Sequence, residues 1–352
     1  MKKNKANISL KNLSDYNNIG FFLSMKKGLC ELLIRRFNKK IKNKKPASVS
    51  SYDDLVSVII CTSNRCEQSV DSVKSIINQS LSPEKYEIIL VNNSKTVIPD
   101  NYFSDRVKIV SEPSLGLSKA RNTGASAAKG EYLLYIDDDA VADENLLSAI
   151  YYSFKEHSKI SIIGGQIILE LPDPKPDVFL EGRESVWSGY TVSYKIFREV
   201  REQYEFPYGA CFAVKHSVLD ALGGFSTEYG RCGNNFAGGE ETALCFKAQK
   251  LGFKIGIEPN AYVRHCVAEK RFSKEHIQKT IYEGIMTTYR LCCDGYTPYK
   301  WTYSYIHERI KILHSEIELL KKQYKSLPVF YKECELDAFQ DIKNMMLREK
   351  HK

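Results

Sequence analysis

The sequence lacks a continuous apolar run of about 18 residues, the length that a membrane-spanning helix requires. It also lacks any Cys-x-x-Cys pair: ten cysteines are scattered through 352 residues, and the only adjacent ones are Cys292 and Cys293. This distribution favours reduced thiols in a cytosol over a disulfide framework or a structural zinc site. The polar start of the chain argues against a cleavable signal peptide. We therefore expect a cytoplasmic protein without membrane spans.

The net charge of +8 is unevenly distributed along the chain. Residues 1–45 hold 13 Lys or Arg against 2 Asp or Glu, whereas residues 46–269 hold 22 against 30. Because the excess of basic charge lies outside the acidic central part, we do not expect nucleic-acid binding there. The length suits one large domain with additional elements. We expect a basic arm and linker over residues 1–50, a main domain over 51–269 and a helical extension over 270–352.

The basic arm contains a helical pattern, since apolar residues recur at helical spacing from Phe22 to Phe37. A basic amphipathic helix can lie on an anionic membrane surface, here the inner face. The same pattern can also pack its apolar side on the main domain. The pattern is compatible with both alternatives, so peripheral membrane contact is one of two expectations for this arm.

The central feature is the segment 131–139 (EYLLYIDDD), in which an apolar run leads directly into three carboxylates. Such a run is typical of a strand that is buried on both faces. Three consecutive aspartates repel one another, and a fold keeps them when a cation neutralises them. An isolated Asp triplet is more often a solvated turn or a helix cap, but the preceding buried strand favours a metal site.

Strands and helices alternate around this segment, which predicts an α/β fold with a mostly parallel sheet flanked by helices. In such sheets ligands bind at the carboxyl ends of the strands. The predicted strand ends bring Thr62, Asn92 and Asp137 to one edge. The predicted strands are 55–61, 86–91, 107–110, 131–137, 160–171, 207–214 and 253–257, with helices over 116–130 and 143–154.

Two blocks, residues 116–124 (GLSKARNTG) and 128–139 (AKGEYLLYIDDD), resemble the family 2 glycosyltransferases of the GT-A fold. The resemblance extends over about residues 55–268 and comprises several ordered blocks. It implies a nucleotide-diphosphate sugar donor, Mn²⁺ or Mg²⁺, and inverting transfer to a glycan or lipid-linked acceptor, as in polysaccharide biosynthesis.

The resemblance also implies roles for individual residues near the carboxylates. Asp137 and Asp138 would face the nucleoside and ribose of the donor, and Asp139 would bind the metal. Arg121 would contact the donor, or alternatively would close the acidic cluster through an ion pair. His265 would be a further metal ligand, although a lone histidine is more often structural.

Two departures from the family pattern concern the nucleotide. The family often has Pro-Thr-Tyr-Asn-Arg after the first strand, and here the residues are CTSNR. Thr62, Ser63 and Arg65 would contact the nucleotide, without the aromatic ring. Asn92 replaces an Asp that reads the base; an amide both donates and accepts, so uracil remains the expected base.

The resemblance makes Glu241 the general base that removes the acceptor proton. The alternative is a pair of carboxylates that favour a helix N-terminus. Glu240 would support Glu241 or bind the acceptor.

The irregular stretch 172–206 is long enough to suggest a function. Its Trp187 and Tyr190 would stack on an acceptor sugar, or would instead fix the loop to the core.

Residues 270–352 show helical patterns without catalytic residues, so they would pack on the domain, recruit the acceptor or form a homo-oligomer. Two rival functions are a peptide or small-molecule glycosyltransferase and a donor-binding scaffold without transfer activity. A nucleotidyltransferase is disfavoured because the opening turn has no Gly-rich lysine loop.

Overall fold

The computed structural model describes residues 52–63, 69–99, 103–233 and 238–350. The expected N-terminal arm and Arg65 lie outside these residues. The strands are β1 Asp53–Thr62, β2 Tyr86–Asn92, β3 Val107–Ser111, β4 Gly130–Asp137, β5 Ala140–Ala142, β6 Ile160–Glu170, β7 Arg198–Glu199, β8 Phe212–Lys215 and β9 Lys254–Cys266. The α-helices are α1 Ser69–Ile77, α2 Leu117–Ala127, α3 Leu146–Glu156, α4 His216–Leu222, α5 Glu240–Lys250, α6 Lys274–Cys293, α7 Tyr303–Lys322 and α8 Ser326–Lys350.

The strands of the described residues form one sheet in the order β3-β2-β1-β4-β8-β6-β9-β5, with β7 paired to β9. The block β3-β2-β1-β4 is parallel throughout, and β6 pairs with β9 in parallel. The short β8 runs antiparallel between β4 and β6 and thereby joins the two parallel parts. The predicted α/β class with a mostly parallel sheet is confirmed.

The register brings the predicted strand ends together. Thr62 at the end of β1 pairs with Asn92 at the end of β2, and Cys61 pairs with Asp137 at the end of β4. The strands that lead to these ends are buried, because helices cover both faces of the sheet. The successive residues Leu133 and Leu134 point to opposite faces, and neither has exposed surface. The polar ends therefore lie next to one another at one edge of a rigid core.

Some predicted boundaries are wrong. The helix predicted to end at Gly130 ends at Ala127, and Gly130 begins β4, where its N–H donates to Ser57 Oγ at 2.9 Å. Gly116 precedes this helix, and Ser118 Oγ within its first turn donates to the Ser226 carbonyl. The strand predicted from residue 207 begins only at Phe212.

The expected C-terminal helices are confirmed as α6, α7 and α8, which share an apolar cluster of their own. A second cluster joins these helices to the irregular stretch and contains Trp187, Ile277 and Tyr331. Among the described residues, no helix has the length and apolar character that crossing a membrane requires.

Candidate active site

The buried guanidinium of Arg121 lies at the centre of the carboxylate cluster. Its Nη1 is 2.7 Å from Glu240 Oε1 and 3.7 Å from Glu241 Oε2, and its Nη2 is 3.4 Å from Asp137 Oδ1. Burial works against its charge, but the carboxylates more than compensate and raise the pKa of Arg121 above its ordinary value. Thus α2, β4 and the start of α5 are joined by one cation, as the ion-pair alternative anticipated.

The two oxygens of the Glu241 carboxylate differ in their contacts. Oε1 accepts a hydrogen bond from the Gly209 N–H at 2.9 Å. Oε2 is buried and makes no hydrogen bond with any described residue. A Cβ at position 209 would lie 2.2 Å from Arg121 Nη2 and 2.8 Å from Glu241 Oε1, so only glycine fits there without a shift. A carboxylate oxygen without a hydrogen-bond donor is suited to accept a proton.

Glu240 differs from Glu241 in both burial and contacts. It is 2% exposed, and its two oxygens accept from Arg121 Nη1 and from the Gly239 N–H. Burial, reinforced by the neighbouring charge of Glu241 and opposed by Arg121, raises the pKa of Glu240 to about 7. Since both oxygens are engaged inside the protein, the arrangement favours the supporting role over acceptor binding.

The residues predicted to contact the nucleotide make contacts that hold the strand ends together. Thr62 Oγ1 donates to Asp138 Oδ2 at 2.7 Å, and both residues are buried. Asn92 Nδ2 donates to the Thr96 carbonyl, and its Oδ1 accepts from Ser94 Oγ. Asp137 is the exception, because 31% of its side chain is exposed.

The neighbouring Asn93, which the sequence reasoning missed, fixes the loop that precedes α2. Its Nδ2 donates to the carbonyls of Glu112 and Ser114, and its Oδ1 accepts from the Gly116 N–H. The doubled Asn after β2 was visible in the sequence, but its partners lie 19 to 23 residues away. Ser63 follows the end of β1 and is half-buried.

Asp139 and His265 face each other beside this cluster. His265 Nε2 is 3.1 Å from Asp139 Oδ1, and Nδ1 is 2.9 Å from the Trp187 carbonyl oxygen. A carbonyl oxygen only accepts, so Nδ1 carries the proton, and a neutral ring presents its Nε2 lone pair to the carboxylate. The guanidinium of Arg271 supplies a cation beside both groups, since its Nη1 is 3.4 Å from His265 Nε2.

This donor set of one carboxylate and one imidazole fits Mn²⁺ or Mg²⁺ in chemistry, and more closely Mn²⁺ because of the imidazole. Within residues 52–63, 69–99, 103–233 and 238–350, no group of three or more His, Cys, Asp or Glu side chains is placed to hold a metal. Arg271 Nη1 lies 3.9 Å from Asp139 Oδ2 and adds positive charge. A metal here would need further ligands from a bound molecule.

The two predicted acceptor aromatics lie in the core. Trp187 has no exposed surface; its ring centroid is 5.0 Å from that of Phe179 and 5.3 Å from that of Phe272. Tyr190 is 4% exposed and donates its hydroxyl to the Glu205 carbonyl. Neither ring can stack on a sugar in this arrangement. Both fix the irregular stretch to the core, which was the alternative expectation.

Comparison with known proteins identifies similar sequences. The family model described as "Glycosyl transferase family 2" matches residues 57–223. The glucosyl-dolichyl phosphate glucuronosyltransferase of Haloferax volcanii is 26% identical over 223 residues, covering 61% of this chain and 70% of that protein. The poly(ribitol-phosphate) beta-N-acetylglucosaminyltransferase TarP of Staphylococcus aureus is 33% identical over 116 residues, 31% of this chain and 36% of that protein.

A solved structure shows the same fold over almost the whole chain. The mannosyltransferase PcManGT from Pyrobaculum calidifontis, in complex with GDP-mannose and Mn²⁺, superposes with a TM-score of 0.54 at 15% identity. The match covers 94% of this chain and 98% of that one. It therefore includes the C-terminal helices as well as the sheet.

Proposed function

The chain belongs to glycosyl transferase family 2 and has its GT-A fold, and from this premise we propose a specific reaction. We propose that it moves a sugar, with inversion, from a nucleotide-diphosphate sugar, with uridine as the expected nucleoside, to a hydroxyl of a glycan or lipid-linked acceptor. The observation that carries this proposal is the Glu241 carboxylate, with Oε1 held by Gly209 and Oε2 without a hydrogen bond. A scaffold without transfer activity would have no use for an oriented base.

In the proposed reaction the acceptor oxygen attacks the anomeric carbon of the donor. The new carbon–oxygen bond forms as the bond to the diphosphate breaks, and the breaking bond's electron pair leaves with the nucleoside diphosphate. The acceptor proton passes to Glu241 Oε2. General base catalysis of this kind contributes roughly 10²–10⁴-fold to a rate. A single displacement of this type inverts the anomeric configuration.

We assign the donor nucleotide to the edge formed by the ends of β1, β2 and β4. Asp137 is the carboxylate at this edge that is partly exposed and can reach a ribose hydroxyl. Asp138 is held by Thr62 and so positions the turn after β4. Asn92 has its amide engaged in a local turn, so a base contact would require its remaining lone pair or an exchange of partners.

Asp139 and His265 are the residues that would hold Mn²⁺ or Mg²⁺. When bound, the ion would neutralise charge on the diphosphate, which otherwise repels the acidic cluster. Arg271, whose Nη1 approaches both His265 Nε2 and Asp139 Oδ2, would add to that neutralisation. The PcManGT complex contains Mn²⁺ together with its nucleotide sugar, which supports this assignment by likeness of fold.

The experiment compares wild type with Glu241→Gln, in donor binding by calorimetry and in release of nucleoside diphosphate with glycan extracts as acceptors. We expect nearly unchanged donor affinity and a release rate at least about 100-fold lower, because the amide cannot take the proton. A Glu241→Gln chain that releases diphosphate at the wild-type rate would refute the proposed base. If both chains bind the donor and neither releases nucleoside diphosphate, the result would favour the alternative of a donor-binding scaffold without transfer activity.

The acceptor class and the cellular location belong to the same proposal. A glycan or lipid-linked acceptor fits the named substrates of the relatives, while a peptide or small molecule is the alternative. We propose that the enzyme works in the cytoplasm, with the basic arm over residues 1–45 on the inner face of the membrane.

A further inference from the structure

A cavity of about 400 Å³ lies beside the catalytic carboxylates and extends to the C-terminal helices. Arg121, Asp137 and Glu241 line it on the side of the sheet. Helix α6 lines it on the other side. The volume is near the lower end of the roughly 300–1,000 Å³ of ligand sites, so it suits the end of a saccharide and not a polymer segment.

The α6 wall presents Thr280, Gly284 and Thr288 to the cavity. Residues four apart lie on the same side of a helix, so these form one edge with a hydroxyl at each end. A Cβ at Gly284 would meet no atom within 4 Å, which shows that the gap above this glycine is open space. Thr288 Oγ1 donates to the Gly284 carbonyl at 2.9 Å, leaving its oxygen as an acceptor.

The wall on the side of the irregular stretch supplies aromatic surface. Tyr204 and Tyr208 both line the cavity, and Tyr204 is 37% exposed. Apolar side chains from the irregular stretch and α6, including Val186 and Ile281, also line it. Rings beside hydroxyl groups are suited to a pyranose, whose C–H faces are apolar and whose rim is polar.

The charges in the cavity are largely compensated. Arg121 is held by the catalytic carboxylates, and Arg183 Nη2 is 2.7 Å from Glu335 Oε1 of α8. A third cation, Arg231, is exposed to solvent. The interior therefore favours an uncharged ligand over a phosphorylated one.

The same helices fix the parts of the main domain that form the cavity. A Cβ on Gly239, which precedes Glu240, would lie 2.7 Å from Thr287 Cγ2, so α6 packs directly against the start of α5. Tyr331 of α8 donates its hydroxyl to the Val178 carbonyl at 2.9 Å. The C-terminal helices thus build one wall of the cavity and anchor another.

From these observations we propose that the C-terminal helices form the acceptor subsite. The terminal sugar of an uncharged carbohydrate acceptor lies in the cavity between Glu241 and the Thr280–Gly284–Thr288 edge. This inference rests on the proposed function, because Glu241 is the group that would receive the acceptor proton.

The test uses the full chain, Mn²⁺ and a panel of methyl glycosides of common hexoses as probes, with saturation-transfer NMR as readout. We expect wild type to bind at least one glycoside, and Gly284→Leu to bind it roughly tenfold more weakly or not at all, because leucine fills the gap. Gly284→Ala, which adds one methyl group, should fall between them. Gln278→Leu, on the exposed side of the same helix, is the matched control and should bind as wild type does.

Two results would overturn the inference: no glycoside binds to wild type, or Gly284→Leu binds the glycoside as tightly as Gln278→Leu does. A parallel measurement of thermal stabilisation by nucleotide sugars separates this failure from that of the proposed function. Donor stabilisation in all four chains with no effect at position 284 sinks only the acceptor subsite. Absence of any donor stabilisation in wild type sinks the glycosyltransferase proposal itself.

Discussion

Among the described residues, Arg121 is the cation that forms ion pairs with Asp137, Glu240 and Glu241. Its side chain is 4% exposed, so its attraction to Glu240 and Asp137 is weakly screened by water. Removing one partner of a buried ionic group leaves the others uncompensated, which is far more costly than losing a surface pair. Arg121 therefore stabilises the junction of α2, β4 and the start of α5.

We predict that Arg121→Gln lowers the free energy of unfolding by about 3–5 kcal/mol, because three carboxylates lose their shared cation. Urea denaturation measures this change. Arg121→Lys is the matched control: it keeps the charge but not the planar fork, and should lose less. An Arg121→Gln chain with the wild-type denaturation midpoint would show that the cluster is neutralised in another way.

We also predict a pH dependence from Glu240, whose pKa is raised by burial from 4.5 to about 7. The folded state binds this proton more tightly than the unfolded state, so Glu240 contributes stability below about pH 4.5 that is lost as the pH rises to about 7. The Glu240→Gln chain lacks this contribution. Its free energy of unfolding minus that of wild type should therefore rise between pH 4.5 and about 7 and then level off.

Denaturation of both chains at several pH values checks this prediction. Carboxylates away from this cluster titrate alike in the two chains, so the difference between the chains reports Glu240 together with its interaction with Glu241. A difference that is constant from pH 4.5 to 7 would contradict the raised pKa.

For single residues, the sequence predicted some of the contacts between distant positions. Asp139 and His265 are 126 positions apart, and the ordered family blocks still indicated a shared site. The sequence left two roles open for Trp187, because its burial depends on Phe272 and on the backbone of Arg271, which lie in the later, helical part.

The elements were predicted in order and type where hydrophobic periodicity was strong, as in β1 and β4. The short strands β5 and β7 and the full length of β9 were missed. Both short strands pair with β9 at the far side of the sheet, and they carry little pattern of their own. The 207–211 segment reads as a strand because it is apolar, yet it turns so that the Gly209 N–H reaches Glu241.

Helix α6 gives a prediction about a single element. Glycine in a helix interior costs about 0.5–1 kcal/mol relative to alanine. Because nothing obstructs a Cβ at position 284, Gly284→Ala should raise the free energy of unfolding by about that amount. Thermal or urea denaturation measures it. Unchanged or reduced stability would mean that the space over Gly284 is filled by protein atoms.

At the scale of the whole molecule, the division into a main domain over 51–269 and a helical extension remains a prediction. In the structure, the extension packs extensively against the rest of the chain. Trp187 is enclosed partly by Phe272, and it lies in one cluster with Ile277 and Tyr331. We predict that a chain ending at residue 269 is less stable by at least about 3 kcal/mol, the low end for emptying contacts of a buried aromatic residue.

Soluble yield and melting temperature of the shortened chain test this prediction. Exposure of Trp187 should appear as a red shift of its fluorescence or as aggregation. A chain ending at residue 269 that melts at the temperature of the full protein would show that the extension is dispensable for folding.

Thermal stabilisation of the full chain by a panel of nucleotide sugars, with Mn²⁺ and with a chelator, tests both the donor site and its metal. We expect that one donor raises the melting temperature with Mn²⁺, that the chelator removes most of the shift, and that Asp139→Asn shows no response to the metal. A shift that is equal with Mn²⁺ and chelator would contradict the metal assignment to Asp139 and His265. The absence of a shift with every donor would contradict the proposed glycosyltransferase reaction.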